Sequence, residues 1–119
     1  MENISSTEMS QFVGRRIRKI SPRLQGLADQ TQAMPVMQVL VTYLREVCTQ
    51  RKYQHAYRLL QCVGQLYERG DRAIRQSIDY LFMYSFSRMD HLCSSKEWHN
   101  LLSHLPQPLR ISYQSQHLK

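Results

Sequence analysis

The chain has 119 residues, 42% of them hydrophobic, and carries sixteen Lys and Arg against nine Asp and Glu for a net charge of +7. That length is one domain, residues 1–119, able to bury roughly two thirds of the unfolded chain's surface around a single core. No apolar run approaches the ~20 residues of a membrane-crossing helix, and the polar opening MENISSTEMSQFVGRR lacks the basic-then-apolar order of a secretory signal. The chain therefore reads as cytoplasmic, with no membrane partner. Cys48, Cys62 and Cys93 are widely spaced and form no CxxC pair, so in that compartment they read as reduced, mostly buried small hydrophobes.

In chain order, Ser5 and Glu8 stand at capping-box spacing ahead of Met9, Phe12, Val13, Ile17 and Ile20, which share one helical face. Pro22 ends that helix at or before Ser21 and opens a short second one through Leu24 and Leu27. Pro35 suits the first turn of a further helix with Val36, Leu40, Tyr43, Leu44 and Val47 inward. The stretch TQRK at 49–52 has no Gly or Pro, yet a tight helical hairpin there is more compact than one long helix. Ala56, Leu59, Leu60, Val63, Leu66 and Tyr67 form the next stripe, which ends at Gly70 as a residue free to take positive φ. Asp71 then caps the helix near 71–89, apolar over most of its circumference and expected at the centre. Ser94 with Glu97 opens a short helix carrying Trp98, Leu101 and Leu102, Pro106 and Pro108 stop it, and 106–119 is a last frayed helix or tail. No alternating strand pattern persists. The expectation is an all-α fold, a single compact bundle of five to six helices.

Motifs for chemistry are missing. Cys93, His99 and His104 lack a fourth ligand and strict spacing, so neither a metal nor any other cofactor is expected. Glu68 with Arg72, Glu46 with Arg45 or Lys52, and Asp79 with Arg75 or Arg72 read as surface pairs. There is no phosphate loop, nucleophile elbow or paired-carboxylate motif, and no enzyme is expected. What the chain does carry is charge and tyrosine. Arg15, Arg16, Arg18, Lys19 and Arg23 form one basic cluster, and Arg51 and Lys52 with Arg58 a second. Tyr53 and Tyr57 flank the second cluster, while Tyr80 and Tyr84 line up with Arg88 along one edge of the central helix. Tyr and Arg dominate protein–protein hot spots, so Arg15, Arg16, Arg18, Lys19, Arg51, Lys52, Tyr53, Tyr57, Tyr80 and Tyr84 are the ten candidate partner contacts.

The run LLQCVGQLYERGDRAIRQSIDYLF, Leu59 to Phe82, with the upstream Phe12, Ile17, Ser21-Pro22 and Leu24, resembles the small all-helical bacterial immunity proteins of contact-dependent and type VI toxin systems. The resemblance implies an antitoxin that neutralises a cognate toxin domain by protein–protein interaction, with Gly70 and Asp71 as structural residues. The strong positive charge then calls for an acidic contact surface on the toxin. A small basic nucleic-acid-binding regulator, or a helical adaptor or chaperone, is the alternative.

Overall fold

The computed structural model describes residues 3–117. Among them are seven helices and no strand: α1 (Met9–Arg16), α2 (Ser21–Gln25), α3 (Ala33–Thr49), α4 (Tyr53–Arg69), α5 (72–86), α6 (Ser95–Ser103) and α7 (Gln107–His117). The all-α bundle is as expected, including short α2, and the segment left as a last frayed helix or tail forms α7. Met1, Glu2, Leu118 and Lys119 lie outside the described residues, including the end of the expected tail.

α3 and α5 pack side by side at the centre, flanked by α4. From α3 come the fully buried Val36, Met37, Leu40 and Leu44, and from α5 Ile74, Ile78, Phe82 and Met83. α5 runs as Arg72–Ser77 in α geometry, Ile78–Phe82 in π geometry and Met83–Phe86 in α geometry again. The N–H of Met83 reaches back five residues to the Ile78 carbonyl. α7 returns along α4, where Gly64 admits Pro106: a Cβ on Gly64 would lie 2.6 Å from Pro106 Cγ.

The α3–α4 hairpin falls at TQRK as expected. Arg51 takes φ 60°, Lys52 N–H donates to Val47 O at 2.7 Å and Arg51 N–H to Cys48 O at 3.1 Å. These two bonds define a Schellman motif, with Arg51 where glycine is usual.

Gly70 departs from expectation. Its φ of −76° and ψ of 158° are extended, open to any residue. What excludes a side chain is space, since a Cβ would run into the Leu66 carbonyl and come within 2.6 Å of Ile74 Cγ2. The neighbouring cap holds: Asp71 Oδ1 accepts the Ile74 N–H at 3.0 Å. The same carboxylate accepts the Ser6 N–H at 2.8 Å through Oδ2, while Ile4 bridges Gly70 through Ile4 N–H to Arg69 O at 2.6 Å and Asp71 N–H to Ile4 O at 2.9 Å. This strap also changes the start of α1. Ser5 Oγ donates to Glu8 Oε1 at 2.7 Å in a closed turn, and the helix begins only at Met9, so the Ser5 hydroxyl does not cap it.

Glu46 pairs with Arg23, not with Arg45 or Lys52, through two bonds of 2.7 and 3.1 Å. Cys48 and Cys62 are buried and Cys93 is half-buried, all as free thiols. Burial pushes Cys62 up to about 12, and burial with the neighbouring Cys93 does the same for Cys48.

Two predictions follow from the caps. Arg51→Gly removes the left-handed strain and should stabilise the chain by about 1 kcal/mol, read as a higher urea midpoint at unchanged m. Desolvation works to raise the Asp71 carboxyl, but bonds from Ile74, Ser6 and Ala73 outweigh it and hold the group below its ordinary value. A depressed carboxyl contributes stability above its unfolded pKa of about 3.9 and loses it as pH falls through the folded value. Urea melts at pH 6 down to about pH 3 should therefore show a loss that Asp71→Asn flattens.

Candidate functional site

A concavity of about 1110 Å³ forms an open groove between α5 and α7, with Tyr67 of α4 among its lining residues. Its position follows from α5. The inward residues Ile78, Phe82 and Phe86 hold the helix against the core, and the wide π turn leaves Tyr80 72% and Tyr84 51% exposed on the other side. π turns of this kind recur at functional sites. Across the groove stands Ile111, 59% exposed. The Arg88 guanidinium lies over the Tyr84 ring, 4.5 Å from its centroid.

Asp79 joins the walls. Its carboxylate accepts Ser112 Oγ at 2.8 Å and Tyr67 Oη at 3.2 Å, and its carbonyl accepts Gln116 Nε2 at 3.0 Å. The expected pairing of Asp79 with Arg75 or Arg72 is not formed. Arg75 Nε instead donates to the Tyr67 carbonyl at 3.0 Å. Burial, then the Asp79 carboxylate, push the Tyr67 phenol above its ordinary value, which keeps it a donor. Asp79 is thus occupied by two hydroxyls, and neither His nor Cys lines the groove.

The ten candidate contacts separate. Tyr80 and Tyr84 meet at the groove with Arg88, as their spacing suggests. Arg15, Arg16, Arg18 and Lys19 are exposed and gather with His55 and Arg58 around a second pocket of about 230 Å³. Nine residues separate Arg58 from Tyr67 on α4, which at 3.6 residues per turn sets them half a turn apart. The basic face and the groove thus open on different sides of that helix. Arg51 and Lys52 are exposed at the α3–α4 hairpin.

Tyr53 and Tyr57 turn inward. The Tyr57 ring stacks on His104 with centroids 3.7 Å apart and planes 4° off parallel. Tyr53 Oη is buried with Glu97 and Cys93 beside it and makes no hydrogen bond of acceptable geometry. Both rings therefore pack α6 and its flanks onto α4. The stack also takes His104 away from Cys93 and His99, which line a separate small pocket. Among the described residues no three His, Cys, Asp or Glu side chains converge as a metal site, and no helix is long and apolar enough to cross a membrane.

Ile111 and the Asp79 junction were not singled out from the residues alone. The available signal for Ile111 was its position two residues after Leu109, on the far side of a helix whose buried face Leu109 marks.

Over residues 12–119 the chain matches the family described as a domain of unknown function, DUF7674, and it belongs to that family. No curated protein and no solved structure matches it.

Asp79 generates a prediction. Asp79→Ala should cost about 2 kcal/mol, because two hydroxyls lose a charged acceptor, and should speed amide hydrogen exchange across 111–116 ahead of the core of α3. Uniform protection of α7 in the variant would show that Asp79 does not hold it.

Proposed function

We propose that this DUF7674 member acts by binding another protein through the groove between α5 and α7, without making or breaking a bond itself. The observation that supports this is the grouping of Tyr80, Tyr84 and Ile111, all more than half exposed, around an Arg88 stacked on Tyr84. Exposed aromatic rings with an arginine on a rigid frame are the residue types from which interface anchors are made. Asp79 fixes that frame before any partner arrives, which lowers the ordering cost of association.

The partner we propose is a bacterial toxin domain, neutralised by this chain as an immunity protein. That identity rests on the resemblance carried by Leu59–Phe82. The net charge of +7 favours a toxin with an acidic contact surface, drawn in by long-range attraction.

The test is titration of the purified chain with the product of the gene immediately upstream, alongside rescue of growth when the two are co-expressed. The unaltered chain should bind and rescue. Tyr80→Ala with Tyr84→Ala, at two exposed positions and with the fold checked by circular dichroism, should weaken binding by roughly 30-fold or more, as loss of a hot spot of about 2 kcal/mol does. Equal affinity in the double variant would remove the groove from the interface. Binding without rescue would mark an adaptor, and no binding would end the antidote reading.

A further inference from the structure

The pocket on the basic face has a composition unlike the groove. Arg15 and Arg16 come from the end of α1, Arg18 and Lys19 from the turn after it, and His55 and Arg58 from α4, with Ile17 and Tyr43 completing the wall. No Asp or Glu lines it. Arg16 is committed elsewhere, its Nε donating to Gln65 Oε1 at 2.8 Å and its guanidinium 3.7 Å from the Phe12 ring centroid. Arg15, Arg18, Lys19 and Arg58 form no ion pair among the described residues, whereas the nearby Arg23 is taken by Glu46. Tyr43 is only 5% exposed, yet it reaches the pocket, and its hydroxyl has no hydrogen-bond partner among the described residues. Cations drawn together around one concavity repel one another unless something negative sits between them. His55 registers the field: desolvation, then Lys19, Arg58 and Lys52, hold its imidazole below the ordinary value.

We infer that this pocket is an anion site that takes the phosphate groups of a small soluble phosphate ester or polyphosphate. A carboxylate offers two oxygens and a single charge, enough for one guanidinium. A phosphate offers more acceptors and more charge, matching several arginine forks together with a phenol donor. At about 230 Å³ the pocket is below the ~300–1,000 Å³ of sites that enclose a whole drug-sized ligand, so the charged end of the molecule fills it and the rest lies outside. The cations converge on a concavity and no exposed ring stands beside them to stack bases, which favours a compact anion over a nucleic-acid strand. None of the exposed large hydrophobics, Met34, Tyr80, Tyr84 and Ile111, lines the pocket, so an apolar anchor for a membrane is missing there.

The probe is inorganic pyrophosphate, titrated calorimetrically at low salt, with the His55 ring followed by proton NMR. Saturable one-to-one binding is expected. Lys19→Gln and Arg58→Gln, both at exposed positions, should each weaken it about tenfold through a lost charged hydrogen bond, and Tyr43→Phe about fivefold through a neutral one. The groups facing His55 are Lys19, Lys52 and Arg58, with Arg15, Arg16, Arg18 and Tyr43 around the same pocket. A bound anion offsets their charge, so the His55 titration midpoint should move upward. Absence of saturation, indifference to Lys19→Gln and Arg58→Gln, or an unmoved His55 midpoint would overturn the site. Binding of a duplex oligonucleotide with a steep salt dependence, while pyrophosphate does not bind, would overturn it in favour of nucleic acid. The inference is independent of the groove: the Tyr80→Ala, Tyr84→Ala variant should bind pyrophosphate as the unaltered chain does.

Discussion

The step from Gly70 to Asp71 is where three parts of the chain are joined, and the position of the groove depends on it. Helix ends leave N–H and C=O groups without partners. Here Gly70 N–H donates to Leu66 O at 2.7 Å, the Arg69 carbonyl accepts from Ile4, and one carboxylate serves both the first turn of α5 and Ser6. The absence of a Cβ at residue 70 lets Ile74 sit directly against the end of α4. The angle between α4 and α5 is thereby set within a single residue. Tyr67 lies just before that step and Asp79 one helical stretch after it, and their 3.2 Å bond exists because the intervening chain allows one path.

The dense basic cluster and the exposed rings stand on different faces of this framework, although Arg88 lies among the rings. The exposed rings of α5 face α7, where Asp79 is screened by hydroxyl donors, while the densest group of cations faces away from them around Tyr43. A surface that mixed the two would bring arginines close enough to compete for the Asp79 carboxylate. Separation leaves the groove's hydrogen bonds intact and leaves Arg15, Arg18, Lys19 and Arg58 without an ion pair among the described residues. Neither concavity borrows a residue from the other, so filling one would leave the side chains of the other free.

Most features that depend on neighbours in sequence were legible beforehand, the Ser5–Glu8 spacing, which closes a turn without capping α1, being the exception. The Asp71 cap and the Ser94–Glu97 capping box rest on side chains three residues from their backbone partners, and both are formed. The inward stripes of α3 and α4 follow from apolar spacing, as does the outward edge of Tyr80 and Tyr84. What could not be read were contacts between distant segments. Tyr53 and Tyr57 look like surface rings until α6 and its flanks bring Cys93, Glu97 and His104 onto them. Gly70 looked like a helix end that needs positive φ because glycine usually serves there, and only the placement of Ile74 and the Leu66 carbonyl reveals a steric need instead. Asp79 resembled half of a helix-surface ion pair, since Ser112 and Gln116 lie too far along the chain to be suspected. Arg51 gave no sign of its left-handed backbone, which is imposed by closing the hairpin.

The π turn of α5 also acts as a phase adjuster. A regular helix advances about 100° per residue, and a turn with one extra residue shifts everything after it by that amount relative to everything before. Ile74 and Ile78 lie upstream of the shift, and Tyr84, Phe86 and Arg88 downstream. Loss of one residue from Ile78–Phe82 would leave composition and hydrophobicity almost unchanged while turning Phe86 out of the core or Tyr84 into it. Length in this short stretch is therefore under tighter constraint than the identity of its exposed side chains, and natural variation here should take the form of substitution, not insertion or deletion.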